Sequence, residues 1–357
     1  MSIAITDDHR TLAQTASDFL LKNGARGSAR DLLEAESEGL PAFWADVAGL
    51  GWLGLHIPEE YGGSGFGLPE LVIVVEELGR AVAPGPFVPT VAASAVIAAT
   101  GSSDVKDRLL PGLVDGSSVG SVALSGAVEV NDGLANGSAF VVLGGALADL
   151  VLVPVGEDVA IVDPSATGVT VEVPANLDPT RRSARMTLER APVEVIAGAG
   201  QVLVDLARLL LAAEATGIAR ECTEQASAYA KVREQFGRPI ATFQAVKHHC
   251  ANMAVAAELA TAAVWDAARA GETGGDQLTY TAALAATLAV PAADQNAQLN
   301  IQVHGGIGFT WEHDAHLYLR RATAIESIID AEAAATDVTD LVRRGVSRVR
   351  SIDLPPE

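Results

Sequence analysis

Aromatic side chains are scarce in this chain. They make up 4% of its 357 residues, and between Phe87 and Tyr229 the single one is Phe140. Ligand pockets are usually lined by apolar and aromatic groups, so a middle section with one ring is an unusual place for one. Cysteine is nearly absent too: Cys222 and Cys250 cannot build a disulfide framework or a four-cysteine zinc site. Positive charge is in short supply, with 24 Lys and Arg against 45 Asp and Glu, a net charge of -21. Such a surface repels phosphate backbones and anionic headgroups, which excludes nucleic acid and membrane surfaces as natural partners. A small anion would need a local cluster of Arg and backbone N–H groups. No long hydrophobic run occurs either. The longest apolar stretch, 139–155, is broken by Gly144, Gly145, Asp149 and Pro154 and reads as two buried strands. The first residues, Met1 to Asp8, lack the basic-then-apolar pattern of a leader, so the expected setting is cytoplasmic.

What is present supports a sizeable core. Hydrophobic residues reach 49% and charged residues 19%, which excludes wholesale disorder, and the length suits more than one domain. Three sections follow. Residues 1–118 carry helical spacing, as in Leu12, Ala16, Phe19 and Leu20, with further helices over 40–49, 70–80 and 91–100 and a Gly-rich loop over 58–67. Residues 119–195 hold short Val, Leu and Ile runs at 141–143, 150–155, 160–162 and 169–173, which predict strands. Asn131-Asp132-Gly133 and Asn136-Gly137 are hairpin-turn signals there. Residues 196–357 are Ala- and Leu-rich, and the pattern predicts four long helices over 202–229, 243–270, 280–303 and 318–344, with Pro291 as a kink point and Gly345 as a stop. Four such helices suit a bundle.

Two segments carry candidate chemistry. Arg233-Glu234-Gln235-Phe236-Gly237-Arg238-Pro239-Ile240 follows the first bundle helix, with Gln244 opening the next. Arg233 suits bidentate contact with a phosphate, although the same pattern also serves a structural helix hairpin. Gln302-Val303-His304-Gly305-Gly306-Ile307-Gly308-Phe309 follows the third. Closely spaced glycines let backbone N–H groups approach an anion such as a pyrophosphate; a plain Gly-rich helix stop is the alternative. The segment follows a helix, so it is not the strand-borne dinucleotide fingerprint. His304, His313 and His316 lie close in sequence, but their loose spacing reads as helix-start residues and no metal site is expected.

Together these segments resemble the acyl-CoA dehydrogenase family. The carrying residues are Arg233-x-x-Phe236-Gly237-Arg238-Pro239-Ile240 with Gln244, and Gln302-x-x-Gly305-Gly306-x-Gly308-Phe309. The run from Thr310 to Arg321 is similar to the actinobacterial branch, and 50–65 and Glu76-Glu77-Leu78-Gly79-Arg80 match upstream. The resemblance implies an α+β multi-domain fold: an N-terminal helical domain (1–118), a small central β-barrel-like domain (119–195) and a C-terminal four-helix bundle (196–357). It implies bound FAD, an acyl-CoA thioester oxidised to the 2,3-enoyl-CoA, and electron-transfer flavoprotein as acceptor. It also implies that Arg233, Phe236, Gln244, Gln302, His304, Gly305 and Gly306 contact an FAD held mainly by a neighbouring subunit, His304 standing at a variable position.

The chain departs from the family at the base that removes the Cα proton. One family position for this Glu matches Ala207, within Asp205-Leu206-Ala207-Arg208; the other matches Ile329. Neither side chain accepts a proton. Glu214 stands two turns from Ala207, and Asp330 is the local rescue candidate. The family's flavin-contacting loop matches 123–129, and no Trp lies in the middle section. The expectation is therefore a subunit without its own catalytic residue. It would complete the FAD site of a second, Glu-bearing acyl-CoA dehydrogenase-like chain, as in α2β2 enzymes of actinobacterial steroid side-chain degradation. The alternatives are a self-sufficient homo-oligomeric dehydrogenase with a displaced base, and a non-redox acyl-CoA-binding protein.

Overall fold

The computed structural model describes residues 5–349. Residues 1–4 and 350–357 lie outside the described residues, and with them the start of the segment read for a leader and the outer ends of the 1–118 and 196–357 assignments. Helices come first: α1 (Asp7–Lys22), α2 (Ala25–Asp31), α3 (Trp44–Gly49), α4 (Leu68–Ala81), α5 (Phe87–Thr100) and α6 (Ser103–Val114). Strands follow: β1 (Gly120–Asn131), β2 (Leu134–Leu143), β3 (Leu150–Val155), β4 (Asp158–Val162), β5 (Val169–Glu172) and β6 (Ser183–Ile196). The rest is α7 (Gly200–Val232), a ribbon of β7 (Glu234–Gln235) and β8 (Arg238–Pro239), then α8 (Gln244–Ala270), α9 (Gly275–His304), α10 (Ala315–Ile328) and α11 (Ala331–Arg343). This is a helical N-terminal domain, a small central β-barrel and a C-terminal helical domain. By compactness the chain divides into two units, Met1–Lys22 with Val72–Val82 and Leu211–Glu357, and Asn23–Leu71 with Ala83–Leu210.

In the second of these units, six strands run in the order β2-β1-β3-β4-β6-β5, and β2 also pairs with β6, which closes a ring. Two long strands make closure possible. β1 pairs with β3 through Gly120–Val122 and with β2 beyond it, and β6 pairs with β2 through Ser183–Pro192 and with β4 through Val193–Ile196. A strand shared between two neighbours must bend, and the β2–β6 pairing shifts register twice, between Ala135 and Asn136 and between Ala139 and Val142. The barrel core is small and aliphatic, with Ala123, Ala139, Val142, Val151, Ala160 and Met186 buried together. Ala and Val fill a narrow barrel without rings, which is the physical content of the missing aromatics.

Asp132 and Gly133, at φ +50 and +73, form the predicted hairpin turn between β1 and β2. Asn136-Gly137 does not turn. It lies inside β2, where Asn136 Oδ1 accepts from the Arg190 N–H at 2.9 Å, and a Cβ on Gly137 would stand 2.0 Å from the Ala127 carbonyl oxygen. Glycine here permits close strand approach. None of the predicted runs falls in β1 or β6: exposed residues interrupt the buried ones along β6 and the second half of β1, so neither strand shows as an apolar run.

In the first unit, α9 packs against α8, α10 and α11. It passes through Pro291 without ending. The four-helix expectation needs one correction: the stretch 318–344 is two helices, not one. α10 stops at Ile328, and Asp330 takes the N-cap of α11, its carboxylate accepting from the Glu332 and Ala333 N–H groups at 3.0 and 2.9 Å. An Asp that satisfies the next helix's free N–H groups restarts the chain there. Gly345, at φ +87, closes α11 as expected.

The interior of this unit is charged yet paired. A Cβ on Gly79 would stand 2.2 Å from the Glu214 carbonyl oxygen, and one on Gly217 would stand 2.0 Å from that of Glu76. These reciprocal glycines let the Val72–Ala81 part of α4 press against α7. Around that crossing Glu214 pairs with Arg321 at 2.5 Å, both side chains 1% exposed, and Glu76 pairs with Arg220. Arg80 meets Glu224 at 2.7 Å and Glu221 at 3.1 Å, and its carbonyl accepts from the Tyr318 hydroxyl. Burial pushes the Glu77 carboxyl up to about 7, against the pull of Arg80.

Candidate functional site

The two predicted segments occupy the ends of α7 and α9. After α7, β7 and β8 pair through Glu234 with Pro239 and Gln235 with Arg238, leaving Phe236-Gly237 as a two-residue turn. Both turn residues have positive φ, +54 and +75, a conformation that Asn-Gly adopts readily and a bulky aromatic does not. Phe236 is 93% exposed, so burial does not repay this strain. Its ring meets Phe243 edge-on at 6.0 Å, and the Arg238 guanidinium lies 4.3 Å from the centre of Phe243. Arg233 and Gln244 are exposed beside the ribbon.

At the end of α9, Gln302 is exposed and Gly305 leaves the helix at φ +64. A tight turn, Gly305–Phe309, follows, with Ile307 and Phe309 exposed. Its glycines divide by cause. A Cβ on Gly308 would stand 2.8 Å from the Ile301 carbonyl oxygen, so packing requires Gly308. Gly305 answers to its φ. Gly306 has neither demand: a Cβ there meets nothing within 4 Å. The side chains of Arg233, Gln244 and Gln302 make no hydrogen bond or ion pair among the described residues. Unused donors and an open glycine, on a rim that also holds a strained exposed aromatic, fit an anionic, ring-bearing group such as FAD.

His304 differs from the other predicted contact residues because it is buried. Its ring stacks on Tyr229 at 4.4 Å and tilts against His313 at 4.3 Å, and Nδ1 lies 2.8 Å from the Asn300 carbonyl oxygen. The three rings share a column, which the sequence did not indicate: Tyr229 lies one turn before Arg233, and His313 stood only in a loose histidine group. Among the described residues no group of three or more His, Cys, Asp or Glu is placed to hold a metal ion.

The base positions are apolar and covered. Ala207 is buried on α7 and Ile329 is buried where α10 ends. Glu214 is committed to Arg321, and Asp330 to its helix cap. Glu326 is exposed, with its carboxyl pushed up by desolvation and by Asp294. Asp205 is buried and accepts from the Gln201 amide at 2.9 Å. Residues 123–129, matched to the family's flavin loop, lie wholly within β1 and pair with β2.

Comparison with known proteins places this geometry. The acyl-CoA dehydrogenase N-terminal domain matches residues 6–117, and the acyl-CoA dehydrogenase C-terminal domain matches residues 199–328. The chain belongs to the acyl-CoA dehydrogenase family. It is 34% identical to acyl-CoA dehydrogenase IpdE2 of Mycobacterium tuberculosis, over 91% of this chain and 94% of that one. It is 41% identical to acyl-CoA dehydrogenase FadE34 of the same organism, over 99% of this chain, and spans 50% of FadE34's length. Among solved structures, a variant of the Tcur3481-Tcur3483 steroid ACAD superposes with a TM-score of 0.88 at 30% identity, covering 95% of this chain and 98% of that one. Among the described residues no helix is long and apolar enough to cross a membrane.

Proposed function

We propose that this chain is a subunit of an FAD-dependent acyl-CoA dehydrogenase, and that it completes the flavin site of a second subunit which supplies the catalytic Glu. The observation that carries the reading is a mismatch within one chain. Both base positions are buried apolar side chains, Ala207 and Ile329, while the rim that meets a neighbour's FAD in this family is intact. The name Tcur3481-Tcur3483 joins two polypeptides and carries the word steroid, which supports a heteromer acting on a steroid side-chain CoA thioester, with an α2β2 assembly as the simplest form.

Bound FAD would supply the hydride acceptor for the substrate's Cβ hydrogen. This chain's residues bind and orient. The Arg233 guanidinium would bind phosphate oxygens of the group. The Gln244 and Gln302 amides would hydrogen-bond its polar atoms, and the open backbone at Gly305 and Gly306 would admit it closely. Phe236, already ordered by its turn, adds a rigid apolar face. The proton at Cα leaves to a carboxylate of the other subunit, since Glu214 is held by Arg321 and Asp330 by its cap. Electron-transfer flavoprotein is the acceptor expected of the family. The test is co-expression with a Glu-bearing acyl-CoA dehydrogenase chain. A yellow, active complex is expected, with little flavin on this chain alone; full FAD occupancy and turnover by the isolated chain would overturn the reading.

A further inference from the structure

The middle of α8 departs from a rule that the other α-helices of its unit obey. Large apolar side chains exposed on those helices sit in their last turns: Leu21 on α1, Val232 on α7 and Val342 on α11. Val255 and Leu259, 60% and 54% exposed, lie in the middle of α8. Between Cys250 and Trp265 the single charged side chain is Glu258, in a chain of net charge -21. One face of this stretch is already used, with Met253, Ala257, Ala260 and Val264 buried. A helix that is apolar all round is one that is covered all round.

The open face has an order. Ala251, Val255, Leu259 and Ala262 are exposed and spaced by four, four and three residues, which lines them up along one side of the helix. The pattern is centred on Val255. A second α8 running antiparallel about a two-fold axis at Val255 sets Leu259 level with Ala251 of the second copy, and Val255 against its own copy. His248 then stands level with Ala262 of the second copy. Large meets small on both sides of the axis, so the helices interdigitate, and the axis itself carries no charge. This symmetry selects a second copy, because a different chain at this face would require none in this one. We infer that this face of α8 is an interface between two copies of this chain, which joins two heteromeric pairs into a four-chain assembly. The pairing goes beyond the flavin-site reading and needs no flavin. Packed helices diverge away from their crossing, and Gln244 lies about 16 Å along the axis from Val255, so the rim stays open to the other subunit.

The test is sedimentation of the full chain alone and of the co-expressed complex. The chain alone is expected to be a dimer at micromolar concentration, and the complex to hold two copies of it. Val255→Glu sets two carboxylates against each other at the axis. It should weaken self-association at least ~100-fold and reduce the complex to one copy of each subunit, with an unchanged circular dichroism spectrum. Val255→Cys, made together with Cys250→Ala, should let a short thiol-reactive cross-linker join two copies of this chain, and this arm decides if Val255→Glu fails to fold. A cross-link to the other subunit instead overturns the inference. So do wild-type masses for a folded Val255→Glu, and so does a wild-type chain that is monomeric alone and present once per complex. If the chain pairs through Val255 but forms no complex with a Glu-bearing chain, the heteromer reading fails and the pairing stands.

Discussion

The interior and the rim of the helical unit obey different rules. Inside, the charged groups that hold α4 and α10 to α7 have partners, Glu214 with Arg321 and Glu76 with Arg220, and the Asn296 amide N–H groups reach the Ala219 and Met253 carbonyls at 3.1 and 3.0 Å. Glycines there are required by contact, as at Gly79 and Gly217. On the rim, the side chains of Arg233, Gln244 and Gln302 make no hydrogen bond among the described residues, Gly306 faces open space, and Phe236 is strained and exposed. Residues of the first kind are explained by this chain's own fold. Those of the second are not, and their explanation lies in what the rim meets.

The sharpest way to break this contrast is to unpair the interior. Glu214→Gln leaves the Arg321 guanidinium buried without its counter-charge, and a loss of about 3–5 kcal/mol in denaturant unfolding is expected. A loss below ~1 kcal/mol would show that the pair is not the interior anchor described. Next comes the pair of glycines. Gly217→Ala forces a Cβ onto the Glu76 carbonyl and should cost roughly 2–3 kcal/mol by the same measurement. Gly306→Ala should leave stability within ~0.5 kcal/mol yet lower FAD retention in the complex. Equal stability losses for the two would erase the distinction.

A third prediction uses pH. Glu77 holds its proton up to about 7 when folded, against an ordinary value of 4.5 when unfolded. Between those values the folded chain keeps a proton that the unfolded chain has released, so stability falls as pH rises through the window. The drop is at most ~3 kcal/mol, less whatever solvent relieves, and Glu77→Gln should flatten it in thermal melts. An unchanged slope in the variant would assign the effect elsewhere. The smallest effect has the opposite sign: Phe236→Gly relieves a positive-φ aromatic and should stabilise the chain by ~1 kcal/mol while weakening FAD retention. Destabilisation would mean that Phe236 serves the fold.

Much of the architecture was legible in the chain. The order helices, strands, helices followed from apolar spacing, and Asn131-Asp132-Gly133 gave its hairpin. The misreadings have specific causes. Asn136-Gly137 has turn chemistry but serves close strand packing, a tertiary demand invisible locally. β1 and β6 mix buried and exposed residues, so no apolar run marked either strand. Ile329-Asp330 divides the last helix because one carboxylate caps the next. At the site, both rim segments were visible as motifs, because turns and glycines are local. The ring column and the Glu214–Arg321 pair were not, because each joins residues far apart in sequence.

The central claim is that this chain finishes another chain's flavin site. Its most direct test is to titrate flavin-free chain into the purified Glu-bearing partner and measure the FAD retained after gel filtration. The account predicts that retention rises with added chain and saturates at equimolar subunits, and that Arg233→Ala chain saturates at lower retention. A partner that holds its FAD equally well alone, with no response to added chain, would contradict it.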